Sequence, residues 1–266
     1  MTTQIIIVLI LTMFINGMTT LSYAVRIIGV RTGRIAITFS LFNILVLLSR
    51  TANTLQAPLL AKTVEQHLKQ GVFSNELIFR YIIASCTAGA IGGVLLIPTF
   101  QRLLLKAVVH FSIYRSVPRL FYLGFSGAGM QFLKENIRMP TKQQLLALPA
   151  RNNFPWRIFF YNVVATAIIT IAVLSCVYAA YLNPEYRTTA SNLSGVINGV
   201  ATVLMALFID PHLSVLTDDV VLGKLSEADF RKFISHMILA RIVGTLLAQV
   251  LFLPGAHLIA FLAEKV

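Results

Sequence analysis

The residue with the clearest chemical potential in this sequence is Arg50, which lies deep inside an apolar stretch. The stretch from Ile35 to Pro58 is long enough to cross a bilayer, and Arg50 is roughly 22 Å along a helix that begins at Ile35. A guanidinium at such depth costs about 2.5–3.5 kcal/mol to insert. It therefore needs a partner: a bound anion, or else backbone carbonyls, a buried acid or the membrane interface.

Polar residues around Arg50 fall on one side of the same helix. Ser40, Asn43, Thr51 and Thr54 share about a third of the helical wheel with it, and the opposite arc is apolar. Other apolar stretches carry similar stripes: Thr12, Asn16, Thr19, Tyr23 and Arg26; Asn162, Thr166 and Thr170; Ser194, Asn198 and Thr202; Arg241, Thr245 and Gln249. Stripes turned inward would line a wet, cationic cavity for an anionic headgroup or a small anion.

The composition places these stripes in a membrane protein. Of the 266 residues, 57% are hydrophobic and 12% are charged, and the mean hydropathy is +0.79. We expect an all-α integral membrane protein with one polytopic domain over residues 1–266. About six transmembrane helices are predicted, near residues 4–24, 35–57, 77–97, 158–182, 193–209 and 234–253. Pro58, Asp210-Pro211 and Pro254-Gly255 are expected to end or interrupt three of them.

Basic residues give the expected orientation. Of the 22 Lys and Arg residues, 15 lie in the first, third and fifth loops and five lie in the other loops and the C-terminus. The positive-inside rule then puts both termini outside and makes the basic segment 98–157 cytoplasmic. The net charge of +12 is thus no sign of nucleic-acid binding. Within this segment, Thr99 to Tyr114 is amphipathic and suits an interfacial helix on anionic lipids; an ordinary basic loop is the alternative.

Enzymatic chemistry has little support. The five histidines are scattered, with no zinc-ligand spacing, and neither a nucleophile elbow nor a Walker motif is present. The best case for an enzyme is a Mg²⁺ site at Asp210, Asp218 and Asp219, although the last two suit a solvated loop. Asp210 could instead pair with Arg241 or Arg50. We therefore expect no enzyme and no cofactor.

Two sequence repeats bear on the architecture. The third and sixth predicted spans end in VLLIP (94–98) and VLFLP (250–254), which is compatible with a 3+3 inverted repeat. GxxxG patterns occur at Gly89 to Gly93 and at Gly195 to Gly199. Such patterns allow close helix packing within one chain, or a homodimer.

The run TLSYAVRIIGVRTGRIAITFSLFNILVLLSRTANTLQAPLL, from Thr20 to Leu60, resembles the N-terminal signature of the Amj family, and DPHLSVLTDDV, from Asp210 to Val220, is also similar to that family. These are bacterial lipid II flippases that serve as an alternate to MurJ. The resemblance implies transport of undecaprenyl-pyrophosphate-linked disaccharide-peptide across the cytoplasmic membrane, from the inner to the outer leaflet, for peptidoglycan synthesis.

The resemblance supplies no site residues, so the expected site comes from the stripes. We expect Arg50 to engage pyrophosphate, with Arg26, Arg80 or Arg241 as helpers, because guanidinium groups form bidentate, charge-assisted bonds with phosphate. Asn16, Asn43 and Asn198 would meet sugar or peptide groups. The alternatives are a small-anion transporter and a membrane-embedded lipid-phosphate enzyme.

Overall fold

Six long helices make up the part of the protein that the structure describes. The computed structural model describes residues 3–71, 75–114 and 155–265, with Tyr122, Ser126, Gly127 and Gln131 from the segment between the last two ranges. The helices are α1 (Thr3–Thr32), α2 (Ile35–Lys69), α3 (Glu76–Tyr114), α4 (Trp156–Leu182), α5 (Arg187–Val221) and α6 (Glu227–Lys265). The all-α membrane fold predicted from composition is confirmed.

Five of the described helices are long and apolar enough to cross a membrane: α1, α3, α4, α5 and α6. In α2, the apolar run among the described residues is shorter and covers Ile35–Ile44. A sixth crossing by α2 therefore remains a prediction, although its 35 residues would span about 52 Å as a straight helix.

Prolines lie inside the helices rather than at their ends. Pro58, Pro98 and Pro254 are internal to α2, α3 and α6, and α5 continues through Asp210-Pro211 to Val221. The predictions that α5 ends at Pro211 and that Pro254-Gly255 breaks α6 are therefore wrong. Membrane helices tolerate proline because neighbouring groups and local adjustments satisfy the freed carbonyls. In α5 the adjustment is a π-helical stretch, Met205–Ile209, immediately before Asp210.

Glycines set the closest helix contacts. A Cβ on Gly93 of α3 would lie 2.8 Å from the carbonyl oxygen of Gly17 in α1, and one on Gly244 of α6 would lie 2.7 Å from Val163 O in α4. The Gly89 to Gly93 pattern thus packs within the chain, against α1. Gly195 and Gly199 of α5 have open space above them.

The two halves of the chain pack in the same way. In each half, the first helix (α1 or α4) packs closely against the third (α3 or α6) at a glycine of the third helix. The second helix (α2 or α5) packs against the first. The second helices, α2 and α5, each have 35 residues, and the third helices, α3 and α6, each have 39. Pro58 and Pro211 both lie in the last third of their helices. These matches favour the predicted 3+3 repeat, whose inverted relation stays a prediction.

The amphipathic segment from Thr99 to Tyr114 is helical, as predicted, but it continues α3 instead of forming a separate helix. Its apolar side packs on the bundle: Leu104 and Val108 are buried against Val25 and Ile28 of α1 and against α2. Burying Leu104 and Val108 inside the protein takes these two side chains away from the lipid that a separate interfacial helix would face. The predicted second amphipathic stretch, Lys142 to Leu148, lies outside the described residues.

Candidate functional site

The polar stripe of α1 lies at the centre of the bundle. Thr12, Asn16 and Tyr23 are buried, and each contacts a different neighbouring helix. Arg26 follows on the same side of α1, with its side chain 14% exposed. The inward direction predicted for this stripe is therefore confirmed for these four residues, and they form the axis of the candidate site.

Arg241 of α6 is the buried cation of this site. It is 6% exposed, and its Nη2 donates to Oδ1 of Asn16, 3.1 Å away. Its Nε is buried and has no hydrogen-bond partner. No carboxylate among the described residues pairs with Arg241. A buried guanidinium whose partner is a neutral amide retains an unsatisfied donor and an uncompensated charge, both of which suit a transient anion.

The surroundings of Asn16 and Thr12 extend the network towards α2 and α3. Nδ2 of Asn16 donates to the carbonyl oxygen of Thr12 at 3.0 Å, and the buried Cys86 of α3 lies beside Asn16 and Arg241. The hydroxyl of Thr12 accepts from Nε2 of Gln56 in α2, at 2.9 Å. Four helices thus meet around the Arg241–Asn16 pair, which fixes the position of its buried polar groups.

A second part of the network joins the two halves beside Arg241. The hydroxyl of Tyr23 in α1 donates to Oδ1 of Asn162 in α4, 3.2 Å away. Nδ2 of Asn162 in turn donates to the carbonyl oxygen of Met237 in α6, at 2.9 Å. Asn162 is fully buried, so it acts as a polar link among α1, α4 and α6 and keeps this stripe turned inward, as predicted.

Arg26 connects α1 with α2 and α5. Its Nη2 lies 3.5 Å from Oδ1 of Asp210, and its guanidinium lies over the ring of Phe39, 5.2 Å from the centroid. The prediction that Asp210 pairs with Arg241 is therefore wrong, because the fold brings Asp210 to Arg26. A pair between Asp210 and Arg50, whose side chain lies outside the described residues, stays a prediction. The Asp210 side chain is 54% exposed, so a competing anion can reach this ion pair.

Arg80 lies at the contact between α3 and α6. Its Nε pairs with Glu76 one turn earlier, and its Nη1 donates to the carbonyl oxygen of Gln249 at 3.2 Å. Nε2 of Gln249 returns a bond to the carbonyl oxygen of Arg80 at 3.0 Å. Arg80 thus has an acidic partner and a structural role between the two halves, unlike Arg241.

Asn43 and Asn198, two other predicted site residues, do not join this network. Asn43 is exposed on α2, as are Ser40, Thr51 and Thr54 of the predicted stripe. The buried polar residues of α2 lie on the other side of the helix and include Gln56 and Thr63. Asn198 of α5 is half-buried, and its carbonyl oxygen accepts from Thr202. The side chain of Arg50 lies outside the described residues, so its role stays a prediction.

Comparison with known proteins assigns the chain to a family. The family model described as "Amj: Alternate to MurJ" matches residues 11–263. The chain belongs to the Amj family. It is also 39% identical to "Lipid II flippase Amj" of Bacillus subtilis (strain 168) over 264 residues, which cover 99% of this chain and 98% of that protein. The resemblance inferred from Thr20 to Leu60 is therefore confirmed. No solved structure matches the chain.

This Amj-family chain also has a basic cleft that sequence reasoning missed. Arg31 of α1, Arg102 of α3 and Arg231 of α6 line a cavity of about 330 Å³, together with Gln101. From the sequence, Arg31 and Arg231 are only loop cations, and Arg102 is a cation of the amphipathic segment from Thr99 to Tyr114. The three lie far apart in the sequence and on separate helices, so no local spacing indicated that they share one cleft.

Proposed function

We propose that this protein is a lipid II flippase, which moves undecaprenyl-pyrophosphate-linked disaccharide-peptide from the inner to the outer leaflet of the bacterial cytoplasmic membrane. Support comes from its 39% identity to a protein named as a lipid II flippase, over nearly the whole length of both chains. A flippase makes and breaks no covalent bond, so the chain is not an enzyme and needs no catalytic residue.

The structural observation that carries this proposal is the state of Arg241. A guanidinium with only neutral hydrogen-bond partners, buried where four helices meet, attracts a phosphate that approaches through the membrane. Its orphaned Nε offers a donor that the resting structure does not use. A polar headgroup would pass Arg241 while its isoprenoid tail stays in lipid.

Arg26 is the second proposed contact, since its partner is exposed and replaceable. A pyrophosphate carries more charge than the single carboxylate of Asp210. It also presents oxygens to two guanidinium nitrogens of Arg26 at once, so it would displace Asp210. Arg50 and Arg80 remain proposed helpers, and Asn16, Asn43 and Asn198 are the proposed partners of sugar or peptide groups.

The proposed orientation places both termini outside the cell and the basic loops in the cytoplasm. Cysteines introduced at Arg34 and Lys224, which are exposed, should then react only with a thiol reagent on the cytoplasmic side. One introduced at exposed Gln70 should react only from outside. Both native cysteines are buried, which keeps the background low. The opposite labelling would contradict the orientation.

Reconstitution tests the function itself. Purified protein in liposomes carrying labelled lipid II should expose the headgroup to an external reagent faster than protein-free liposomes do. A parallel set loaded with inorganic phosphate tests small-anion transport, and a set with labelled phosphatidylglycerol tests general lipid scrambling. Selective movement of lipid II is the expected result; equal movement of phosphatidylglycerol, or movement of phosphate alone, would overturn the proposal.

A further inference from the structure

The basic cleft is built from three helix segments at one end of the bundle. Arg31 lies in the last turn of α1, Arg102 lies one turn after the internal Pro98 of α3, and Arg231 lies in the second turn of α6. All three belong to the loops that the positive-inside rule places in the cytoplasm. The cleft therefore opens on the leaflet where a flippase of outward direction must collect its substrate.

The positive charge of the cleft is only partly compensated. None of the described residues that line it is acidic. Glu227 pairs with Nε of Arg31, whereas Arg102 and Arg231 have no ion pair within the part of the chain that the structure describes. Three guanidinium groups around one space repel one another unless an anion lies between them. The excess positive charge of Arg102 and Arg231 therefore favours an anion in the cleft.

An apolar ridge leads away from the cleft along α3. Leu105 lines the cavity and is 43% exposed, and it is followed at four-residue intervals by Val109 and Ile113, which are 50% and 65% exposed. Residues four apart lie on one face of a helix. An amphiphilic ligand can therefore hold its charged group among the arginines and place nearby apolar atoms against this ridge, which a free phosphate would leave bare.

We propose that this cleft, formed by Arg31, Arg102 and Arg231, is the loading site for the pyrophosphate of a lipid-linked substrate before it crosses the membrane. This inference rests on the proposed flippase function and adds its first binding step. A pyrophosphate diester carries two negative charges on two adjacent phosphates, whereas an ordinary phospholipid diester carries one. The three guanidinium groups suit the pyrophosphate diester, because each can form bidentate bonds to phosphate oxygens.

Lipid binding to the full-length protein tests this assignment. The protein would be placed in phosphatidylcholine nanodiscs, and bound lipid II, phosphatidylglycerol and inorganic pyrophosphate would be measured by native mass spectrometry. The test variant is R102Q/R231Q. The control is Arg34→Gln, an exposed arginine between α1 and α2 that does not line the cleft. Thermal unfolding checks that each variant is folded.

The double variant should bind lipid II at least about tenfold more weakly than the wild type, since each charge-assisted contact to phosphate contributes about a factor of ten or more. Arg34→Gln should bind as the wild type does. R102K/R231K should restore only part of the affinity, because a lysine ammonium lacks the bidentate fork. Should the double variant misfold, the single variants Arg102→Gln and Arg231→Gln should each weaken lipid II binding, by a smaller factor than the double variant.

Three results would overturn the assignment: unchanged lipid II binding by the folded double variant, equal competition by phosphatidylglycerol, or equally tight binding of inorganic pyrophosphate. The flipping assay separates this failure from that of the proposed function. If the wild type flips lipid II while the cleft variants bind and flip it normally, the cleft is not the loading site and the function stands. If the cleft binds lipid II but the wild type moves none, the flippase function fails, and the cleft is a lipid II binding site but not a loading site.

Discussion

At the scale of single residues, the unusual feature is a buried arginine held by an amide. Inserting a guanidinium into a membrane bundle is costly, and the usual compensation is a carboxylate. Arg26 and Arg80 have one. Arg241 has Asn16 instead: its Nη2 lies 3.1 Å from Oδ1 of Asn16, and its Nε has no hydrogen-bond partner. A neutral partner holds the guanidinium in place without neutralising it, which is the state that the proposed function requires of Arg241.

Replacement of Asn16 separates these two effects. Asn16→Asp puts a resident carboxylate beside Arg241, so the folded protein should be at least as stable as the wild type and should lose lipid II flipping. Asn16→Ala removes the hydrogen bond to a charged group and should destabilise the fold by about 1.5–3 kcal/mol. Thermal unfolding in detergent and the liposome assay measure the two effects.

The matched control is Asn192→Asp, the same chemical change at an exposed position near the start of α5. It should leave both stability and flipping unchanged. Native flipping by Asn16→Asp would mean that an uncompensated charge on Arg241 is not required.

Sequence reasoning succeeded at this scale where the stripe lies on a helix with a single polar side. The stripes on α1 and α6 were predicted to face inward, and Asn16, Tyr23 and Arg241 do so. The partner of Asp210 was not predictable, because Arg26, Arg50 and Arg241 are all plausible cations and the choice depends on how α1 and α5 pack.

At the scale of elements, glycine positions decide which helices touch. Gly93 approaches the backbone of α1 so closely that a Cβ would lie 2.8 Å from both Gly17 O and Thr20 Cβ. Gly195, in the second GxxxG pattern, meets nothing within 4 Å. The same sequence pattern therefore has different roles in α3 and α5, and the pattern alone does not distinguish them.

Alanine substitutions at the two positions should have opposite effects. Gly93→Ala forces α1 and α3 apart and should cost about 1–3 kcal/mol of stability, as overpacking does. Gly195→Ala has room and should be neutral or add up to about 1 kcal/mol, because alanine favours helix more than glycine does. Comparison of unfolding temperatures in the same detergent tests this pair. An unchanged unfolding temperature for Gly93→Ala would contradict the close contact between α1 and α3.

Helix α2 shows where element-level prediction failed. It carries polar residues on two sides: Ser40, Asn43 and Thr51 on the exposed side, and Thr38, Gln56 and Thr63 on the buried side. The prediction took the first side as inward because it contains Arg50. In the structure the second side is buried, because Nε2 of Gln56 donates a hydrogen bond to the hydroxyl of Thr12 in α1. Periodicity identifies a stripe, but with two stripes only tertiary contacts decide which one is buried.

At the scale of the whole molecule, the polar groups form a series from one end of the bundle towards its centre. The cleft of Arg31, Arg102 and Arg231 lies at one end, and the Arg26–Asp210 ion pair and the buried Arg241 follow along α1 and α6. The membrane character of the described helices followed from hydropathy. The cleft did not, because it depends on three segments that meet only in the folded chain.

The proposed path has one central requirement, which is that the headgroup phosphate engages Arg241 as it crosses. The most direct measurement is the rate of lipid II exposure in liposomes for the wild type, Arg241→Gln and Arg241→Lys, with Arg34→Gln as the control and equal amounts of folded protein in each. Arg241→Gln should be slowed at least about tenfold, Arg241→Lys should be intermediate, and Arg34→Gln should match the wild type. Flipping by Arg241→Gln at the wild-type rate would contradict the account.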